Sequence, residues 1–290
     1  MTRSTRRAAK RLAAPGLALV ILFLVPLAIM VRESLVVRAA DGTIRASLDQ
    51  YARFAGDSYY AGALVLTFAT ASLVAGLAIV LAYPIAVAYW RASRRLRALM
   101  LILLLAPFYA NIVVTVFGWI VLLSPGGIVN GLLASSGAIS SPLDLLNGYP
   151  AIVAVSIHRC LPFVVLLIAS ALATIDDDVL QSARVCGAGE VRVFRTIVVP
   201  LSMPGIVSSA VVAFSFTAAG FVIPRLVGGA TGARFVPVLM YQQIAVTQNW
   251  RFGAAMGVLL LTASVVIVAA GMWMVKRLRA GRVLSNAFVQ

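Results

Sequence analysis

Apolar runs long enough to cross a lipid bilayer recur six times along this chain, and that pattern restricts the fold more than any single motif does. The runs cover 12–31, 61–89, 98–123, 150–173, 205–227 and 254–275, each at or above the roughly 20 residues a helix needs to cross ~30 Å of hydrocarbon. Inside a bilayer every backbone N–H and C=O has to be satisfied within the protein, so each run is predicted to be a helix. With 62% hydrophobic residues, 11% charged residues and a mean hydropathy of +1.01, the composition lies outside the range of soluble domains. The expected fold is all-α: a polytopic membrane protein with six transmembrane helices, forming one bundle over 12–275 flanked by short segments 1–11 and 276–290. The second and third runs exceed the minimum length, and Pro84 and Pro107 are candidate kinks inside them.

Basic residues mark the side of the membrane on which a loop is retained. They gather in alternate segments: Arg3, Arg6, Arg7, Lys10 and Arg11 at the start; Arg91, Arg94, Arg95 and Arg97 between the second and third runs; Arg184, Arg192 and Arg195 between the fourth and fifth; Lys276, Arg277, Arg279 and Arg282 at the end. Both termini are therefore expected in the cytoplasm of a bacterial inner (cytoplasmic) membrane. On the opposite side Arg32, Arg38, Arg45 and Arg53 are offset by Glu33, Asp41, Asp49 and Asp57. The net charge of +15 is thus mostly topological and does not point to nucleic acid. The basic start followed by an apolar run resembles a secretory signal, but the run exceeds the usual core of about 7 to 15 residues, and Arg32 and Glu33 follow it directly. It is expected to be a span.

Catalytic chemistry has little to stand on. The two cysteines, Cys160 and Cys186, cannot build a disulfide framework, and the single histidine, His158, has no partner at metal-ligand spacing. No nucleophile triad, phosphate-binding glycine loop or cofactor motif is present. The chain is expected to be neither an enzyme nor a metal or cofactor carrier.

The longest polar interruption in the second half is "QSARVCGAGEVRVFRTIVVP", residues 181–200, within an expected cytoplasmic loop 174–203. Asp176, Asp177 and Asp178 suit a helix start, where carboxylates meet free backbone N–H groups and the positive end of the helix dipole. A short helix over 179–186 is predicted, ended by Gly187 in the left-handed conformation. A second is predicted over 190–198, with Phe194, Ile197 and Val198 on its apolar side and Pro200 as its stop. Ser202 and Pro204 suit the cap and first turn of the fifth span. A rigid helix-turn-helix on an otherwise short-looped membrane protein reads as a docking surface for a cytoplasmic partner; the plainer alternative is an amphipathic hairpin lying on the headgroups.

This segment resembles the cytoplasmic signature of binding-protein-dependent ABC importer permeases, which runs Glu-Ala-Ala, three residues, Gly, nine residues, Ile, one residue, Leu-Pro. Ala183, Gly187, Ile197 and Pro200 fall on signature positions, while Gln181 and Ser182 replace the Glu-Ala opening and Val199 replaces the Leu. Further along, "LDQY" at Leu48, "AYPIAVAY" at Ala82, "APFYANIVVTVFGWIVLLSPGGIVNGLL" at Ala106, "LPFVVL" at Leu161, "GFVIPRLVGG" at Gly220 and "NWRFGAAM" at Asn249 resemble, in this order, the spermidine/putrescine (polyamine) branch. The resemblance implies a type I ABC importer permease fold and three kinds of partner: a second permease subunit, two ATP-binding cassette ATPase subunits, and an extracytoplasmic solute-binding protein. It implies that Gln181, Ser182, Ala183, Arg184, Gly187, Glu190, Ile197 and Pro200 form the ATPase-coupling loop, with 179–189 as the lever of alternating access. The outer ends near Gly228 and Gly229 are expected to help form the gate facing the binding protein.

Solute identity is less legible. No acidic residue lies centrally within a run, although a polyamine is a multiple cation. Trp119, Tyr109 and Phe108 offer aromatic faces, and Arg159, deep in the fourth run, is costly there unless paired or hydrated. Arg159, Trp119 and Tyr109 are the candidate translocation-path residues. Arg159 is equally consistent with structural pairing to carbonyls, and small organic anions such as phosphonates stay open as solutes. A secondary transporter driven by an ion gradient would call for intramembrane acids, which the runs lack.

Overall fold

The computed structural model describes residues 20–38 and 44–287, and these fall into two compact units. The first unit comprises the described residues up to Gly62 together with Leu239–Ala263. It opens with helix α1 (20–34), followed by a two-stranded antiparallel pairing of β1 (Val36–Arg38) with β2 (Ile44–Ala46), Val36 opposite Ala46. Helix α2 (Asp49–Gly56) comes next. Ser34 is fully buried; its hydroxyl donates to the Val31 carbonyl at 2.6 Å and shares a hydrogen bond of 2.7 Å with the Tyr51 hydroxyl, which ties α2 to the end of α1. Phe54 stacks on Tyr60 at 5.8 Å, Tyr60 meets Phe252 edge-on at 4.9 Å, and the Arg53 guanidinium lies 4.6 Å from the Phe252 ring centre. Of the charge offset expected here, Arg32 and Glu33 form an exposed pair at 3.7 Å; Asp41 lies outside the described residues.

The second unit comprises Ala63–Val238 and the described residues from Ser264 onward. Its helices are α3 (Ser58–Arg91), α4 (Arg94–Tyr109), α5 (Ile112–Leu123), α6 (Ile128–Ser135), α7 (Tyr149–Leu172), α8 (Asp177–Val185), α9 (Glu190–Val193), α10 (Val199–Ala218), α11 (Val222–Val227), α12 (Gly229–Gly232), α13 (Val236–Tyr241) and α14 (Trp250–Ala287), of which α3, α13 and α14 belong in part to each unit. Its core is built on close helix approach. Gly205 of α10 sits where a β-carbon would lie 2.6 Å from the Ala171 β-carbon and the Leu167 carbonyl, so α7 and α10 pack at a separation only glycine permits. On α3 the buried face reads Ala71, Val74, Ala78, Ala82 and Ala86, a mostly small-residue stripe at helical spacing that shares one buried cluster with Val164, Ile168 and Leu172 of α7 and with Ala213 and Phe214 of α10. A second cluster gathers Val116 and Leu123 of α5, Ile152 and Val155 of α7, and Ile223 and Val227 of α11.

Among the described residues five helical stretches are long and apolar enough to cross a membrane: Ser58–Arg91, Ile112–Ser135, Tyr149–Leu172, Glu190–Ala218 and Trp250–Trp273. The predicted first run, 12–31, lies partly outside the described residues, as does the whole of 1–11. Two predicted spans are redrawn. The run 98–123 is not one helix: α4 ends at Tyr109, Ala110 is extended, and Asn111 starts α5 by accepting the Val113 N–H on its side-chain oxygen at 2.8 Å. That local hydrogen bond competes with helix continuation, and the apolar stretch then runs on to Ser135. The run 205–227 is also displaced. Pro200 does not stop the preceding helix; a π turn over Phe194–Val198 absorbs it, and α9 passes into α10 without a break. A proline ring clashes with the carbonyl four residues back, and the wider turn, closed by the Val199 N–H on the Phe194 carbonyl, relieves that clash. Ser202 and Pro204 accordingly lie inside α10 instead of capping it, and Ser202 bonds the Tyr83 hydroxyl at 2.9 Å. At the other end α10 stops at Ala218, leaving α11 as a separate short helix. Pro84 sits within an uninterrupted α3.

Candidate coupling loop and translocation surface

Helix α8 begins two residues before its predicted start, because Asp176 caps it by accepting the Asp178 N–H at 3.0 Å while Asp177 and Asp178 occupy the first turn. It ends at a left-handed glycine, as predicted: Gly187 has φ +80°. Its N–H donates to the Arg184 carbonyl at 2.9 Å and the Ala188 N–H to the Ala183 carbonyl at 3.1 Å. This paired closure satisfies the last carbonyls of the helix, and Ala183 and Ala188, at the positions that usually touch in such a turn, both pack against the core. Nothing lies within 4 Å of where a Gly187 β-carbon would stand. Arg184 Nε then meets Glu190 Oε1 at 2.8 Å, joining the two arms of the turn. Both side chains are exposed, so the pair contributes only about 0.2–1 kcal/mol; its effect is to fix the relative direction of α8 and α9.

The predicted loop residues divide by face. Gln181, Ser182, Arg184, Gly187 and Glu190 are exposed, whereas Ala183, Ile197 and Pro200 are half-buried against the body of the unit, and Leu180 anchors α8 in the core. Sequence reasoning passed over Val185 and Val191, which are 88% and 66% exposed. Two bare valines beside the turn add apolar area to an outward surface, and the signal for them was their angular offset from Leu180 and Val193, both buried.

Arg159 lies ten residues beyond Tyr149 on α7, so helix rise places it roughly 15 Å along that span. Its guanidinium sits 4.6 Å from the Phe108 ring centre and donates to the Phe108 carbonyl at 3.3 Å. Among the described residues no carboxylate pairs with it. A cavity of about 20 Å³ beside it, bordered by Ser156, Thr217 and Gly220, has room for one water-sized group. Phe108 belongs to a chain of edge-on rings, Tyr109 to Phe108 at 6.1 Å, Phe108 to Phe163 at 4.7 Å and Phe163 to Phe216 at 5.3 Å. Tyr109 is 82% exposed and Phe216 47% exposed. The structure therefore brings Arg159 and Tyr109 together through Phe108, at the break between α4 and α5. Trp119 is not part of this group; it meets the neighbouring His158 edge-on at 5.6 Å. Phe163 and Phe216 were missed because their spacing reads as ordinary apolar helix.

The two glycines expected at the outer gate are tightly packed. Gly229 has φ +51° and a β-carbon there would lie 2.7 Å from the Asn147 carbonyl, while one at Gly228 would meet the Ile152 side chain at 2.7 Å. Asn147 itself adopts φ 63°, a left-handed angle that asparagine tolerates, so the two turns interlock by close approach of the Gly229 and Asn147 backbones.

Residues 75–281 match the family described as binding-protein-dependent transport system inner membrane component. Fold and family together define a permease subunit of an ABC importer, a multi-pass membrane protein that transports and does not catalyse. The chain belongs to the binding-protein-dependent transport system inner membrane component family. It is similar to the spermidine/putrescine transport system permease protein PotB of Salmonella typhimurium strain LT2, at 30% identity over 241 residues, 83% of this chain and 81% of the relative. Among solved structures it is similar to a bacterial ABC transporter involved in the import of the acidic polysaccharide alginate, with a TM-score of 0.77 at 19% identity over 95% of this chain and 99% of that one. It is also similar to the MetNI methionine ABC transporter, with a TM-score of 0.58 at 16% identity over 75% of this chain and 94% of that one. The shared fold is that of type I ABC importer permeases. A permease of this class works with an ATPase and a solute-binding protein.

Proposed function

We propose that this chain is one of two permease subunits that together line the path of an ATP-driven importer for a small organic solute. It crosses the membrane six times with both termini in the cytoplasm, and the loop 174–203 transmits the movement of two ATPase subunits to α7 and α10. The observation that carries this reading is the closed turn at Gly187, held by paired backbone bonds and the Arg184–Glu190 contact, with Gln181, Ser182 and Val185 facing outward. A rigid exposed element set between two spans moves them when it is moved. The interlocked glycine turns at Gly228 and Gly229 serve the outer gate in the same scheme.

For the solute, the PotB relatives support a polyamine of the spermidine/putrescine type, with Tyr109 and Phe216 as cation-binding ring faces. Trp119 stays a pathway candidate on the α5 side. A second reading, an organic anion such as a phosphonate, is favoured by Arg159, an intramembrane cation that has no carboxylate partner among the described residues and is stacked on half-buried Phe108, whose ring meets the exposed Tyr109. The test is uptake by the full assembly in proteoliposomes with ATP inside. Spermidine uptake unaffected by Arg159→Gln supports the polyamine; uptake of an organic anion that falls at least tenfold in Arg159→Gln, with assembly intact, supports the anion. The chain alone should transport nothing under an imposed proton or sodium gradient, and gradient-driven uptake by it would overturn the importer reading.

A further inference from the structure

We propose that this chain holds one anionic phospholipid, its acyl chain lying in a groove between α3, α10 and α14 and its phosphate met by Arg195 and Arg192. The groove has a volume of about 370 Å³ and lies on the second unit. Met203, Ala210 and Phe214 of α10 form one wall, with Gly76 and Ile79 of α3 and Met272 of α14 opposite. Apart from the Ser72 hydroxyl, its lining side chains are apolar. Phe214 stacks on Phe68 at 5.8 Å and lines the far end.

Size selects the occupant. The groove, about 370 Å³ and open along one side, is far larger than the recess of about 20 Å³ beside Arg159. The rise from Met203 to Phe214 is roughly 16 Å, about half of the ~30 Å hydrocarbon thickness. The groove thus has the length of one acyl chain from one leaflet, and an apolar lining that suits one.

Charge selects the headgroup. The π turn over Phe194–Val198 inserts one extra residue into the helix that runs from α9 into α10. Counting back from Met203 through that wider turn, the groove face continues into Arg195 and Thr196 and then into Val191 and Arg192. Without the insertion Arg195 would be turned about 100° away from that face. Arg192, Arg195 and Thr196 are all exposed, and they border a surface recess together with Glu190. Among the described residues no carboxylate pairs with either arginine, because Glu190 is held by Arg184. Arg195 stands roughly 12 Å along the helix from Met203, which leaves space for the glycerol and phosphate between the arginines and the groove mouth. Guanidinium groups match phosphate oxygens in a bidentate manner. The two features sit on one helix face in the order in which a phospholipid presents them.

The test uses the full chain extracted from bilayers of equal parts phosphatidylglycerol and phosphatidylethanolamine, with retained lipid read by native mass spectrometry. The expected result is phosphatidylglycerol retained at least tenfold over phosphatidylethanolamine. Arg192→Gln and Arg195→Gln should each lower that preference about fivefold, the gain of one cation at an anionic surface. Ala210→Trp, which fills the groove, should remove retention of both lipids. A phosphatidylglycerol carrying a photoreactive group at its acyl end should label the segment around Phe214, a readout that survives if the tryptophan variant fails to fold. Equal retention of the two lipids overturns the proposal, as does labelling confined to other segments, which would mean that a second permease copy or bulk lipid covers the groove. Unchanged preference in the double arginine variant, with weaker ATPase association, assigns the arginines to the ATPase and also overturns it.

Discussion

At Gly187 a single backbone angle separates two explanations of why the loop turns on glycine. Its φ of +80° lies where a β-carbon costs about 1–2 kcal/mol, yet no atom stands within 4 Å of that β-carbon in the isolated chain. If backbone strain sets the requirement, Gly187→Asn should behave nearly as wild type, since asparagine tolerates the left-handed region, and Gly187→Ala should lose about 1 kcal/mol of turn stability. If instead the ATPase closes on the turn, bulk sets the requirement and the order reverses, with Gly187→Asn and Gly187→Asp worse than Gly187→Ala. ATP hydrolysis and solute uptake measured in the same proteoliposomes distinguish the two orders, and wild-type values for all three variants would remove the loop from the coupling mechanism. The glycine itself was legible in the sequence, as were Asp176 and the exposed Gln181 and Ser182, because turn chemistry is local. Val185 and Val191 were not, because an exposed apolar residue in a membrane protein looks like any other apolar residue until the burial of Leu180 and Val193 fixes the face.

Helix existence follows from apolar length, but where the helices begin and end depends on competition that hydropathy does not register. The break at Ala110 and Asn111 turns on one side-chain cap inside an apolar stretch, and the passage through Pro200 turns on a wider turn that a proline rule alone reads as a stop. Helix separation is a different matter, since it is set by particular glycines. A β-carbon at Gly205 would stand 2.6 Å from both the Ala171 β-carbon and the Leu167 backbone carbonyl, neither of which can rotate aside. Gly205→Ala is therefore expected to push α10 off α7 and cost about 1–3 kcal/mol, the usual range for overpacking, seen as a lower Tm of the detergent-solubilised chain. Gly118→Ala is the control: nothing lies within 4 Å of its β-carbon position in α5, and alanine gains helix propensity of about 1 kcal/mol, so Tm should stay or rise. A fall of equal size in both variants would show that general helix perturbation, and not the α7–α10 contact, governs stability.

For the whole molecule, the number of crossings follows from which segments share a side, and the chain supplies its own reporter. Cys186 is exposed beside the Gly187 turn while Cys160 is buried, so an impermeant thiol reagent meets one accessible native sulfur among the described cysteines. The exposed Asp144 lies between α6 and α7, and only α7 separates it from the turn. A cysteine placed at Asp144 in a Cys186→Ser background should therefore be labelled from the opposite side to Cys186. The basic segments set the absolute sense: Cys186 should react in inside-out vesicles and not in intact spheroplasts, and Asp144→Cys the reverse. Parity then reaches both termini. If α10 and α14 each cross once, as their length and hydropathy allow, the chain returns to the side of Cys186, and an epitope after Gln290 should be digested only where Cys186 is labelled. Towards the N-terminus an epitope before Met1 should share that side if 12–31 crosses, and should share the side of Asp144→Cys if it does not. The second outcome would leave five crossings and overturn the six-span topology while keeping the coupling loop where it is. Labelling of Cys186 from outside would overturn the assignment of the loop itself, because no ATPase works on that face.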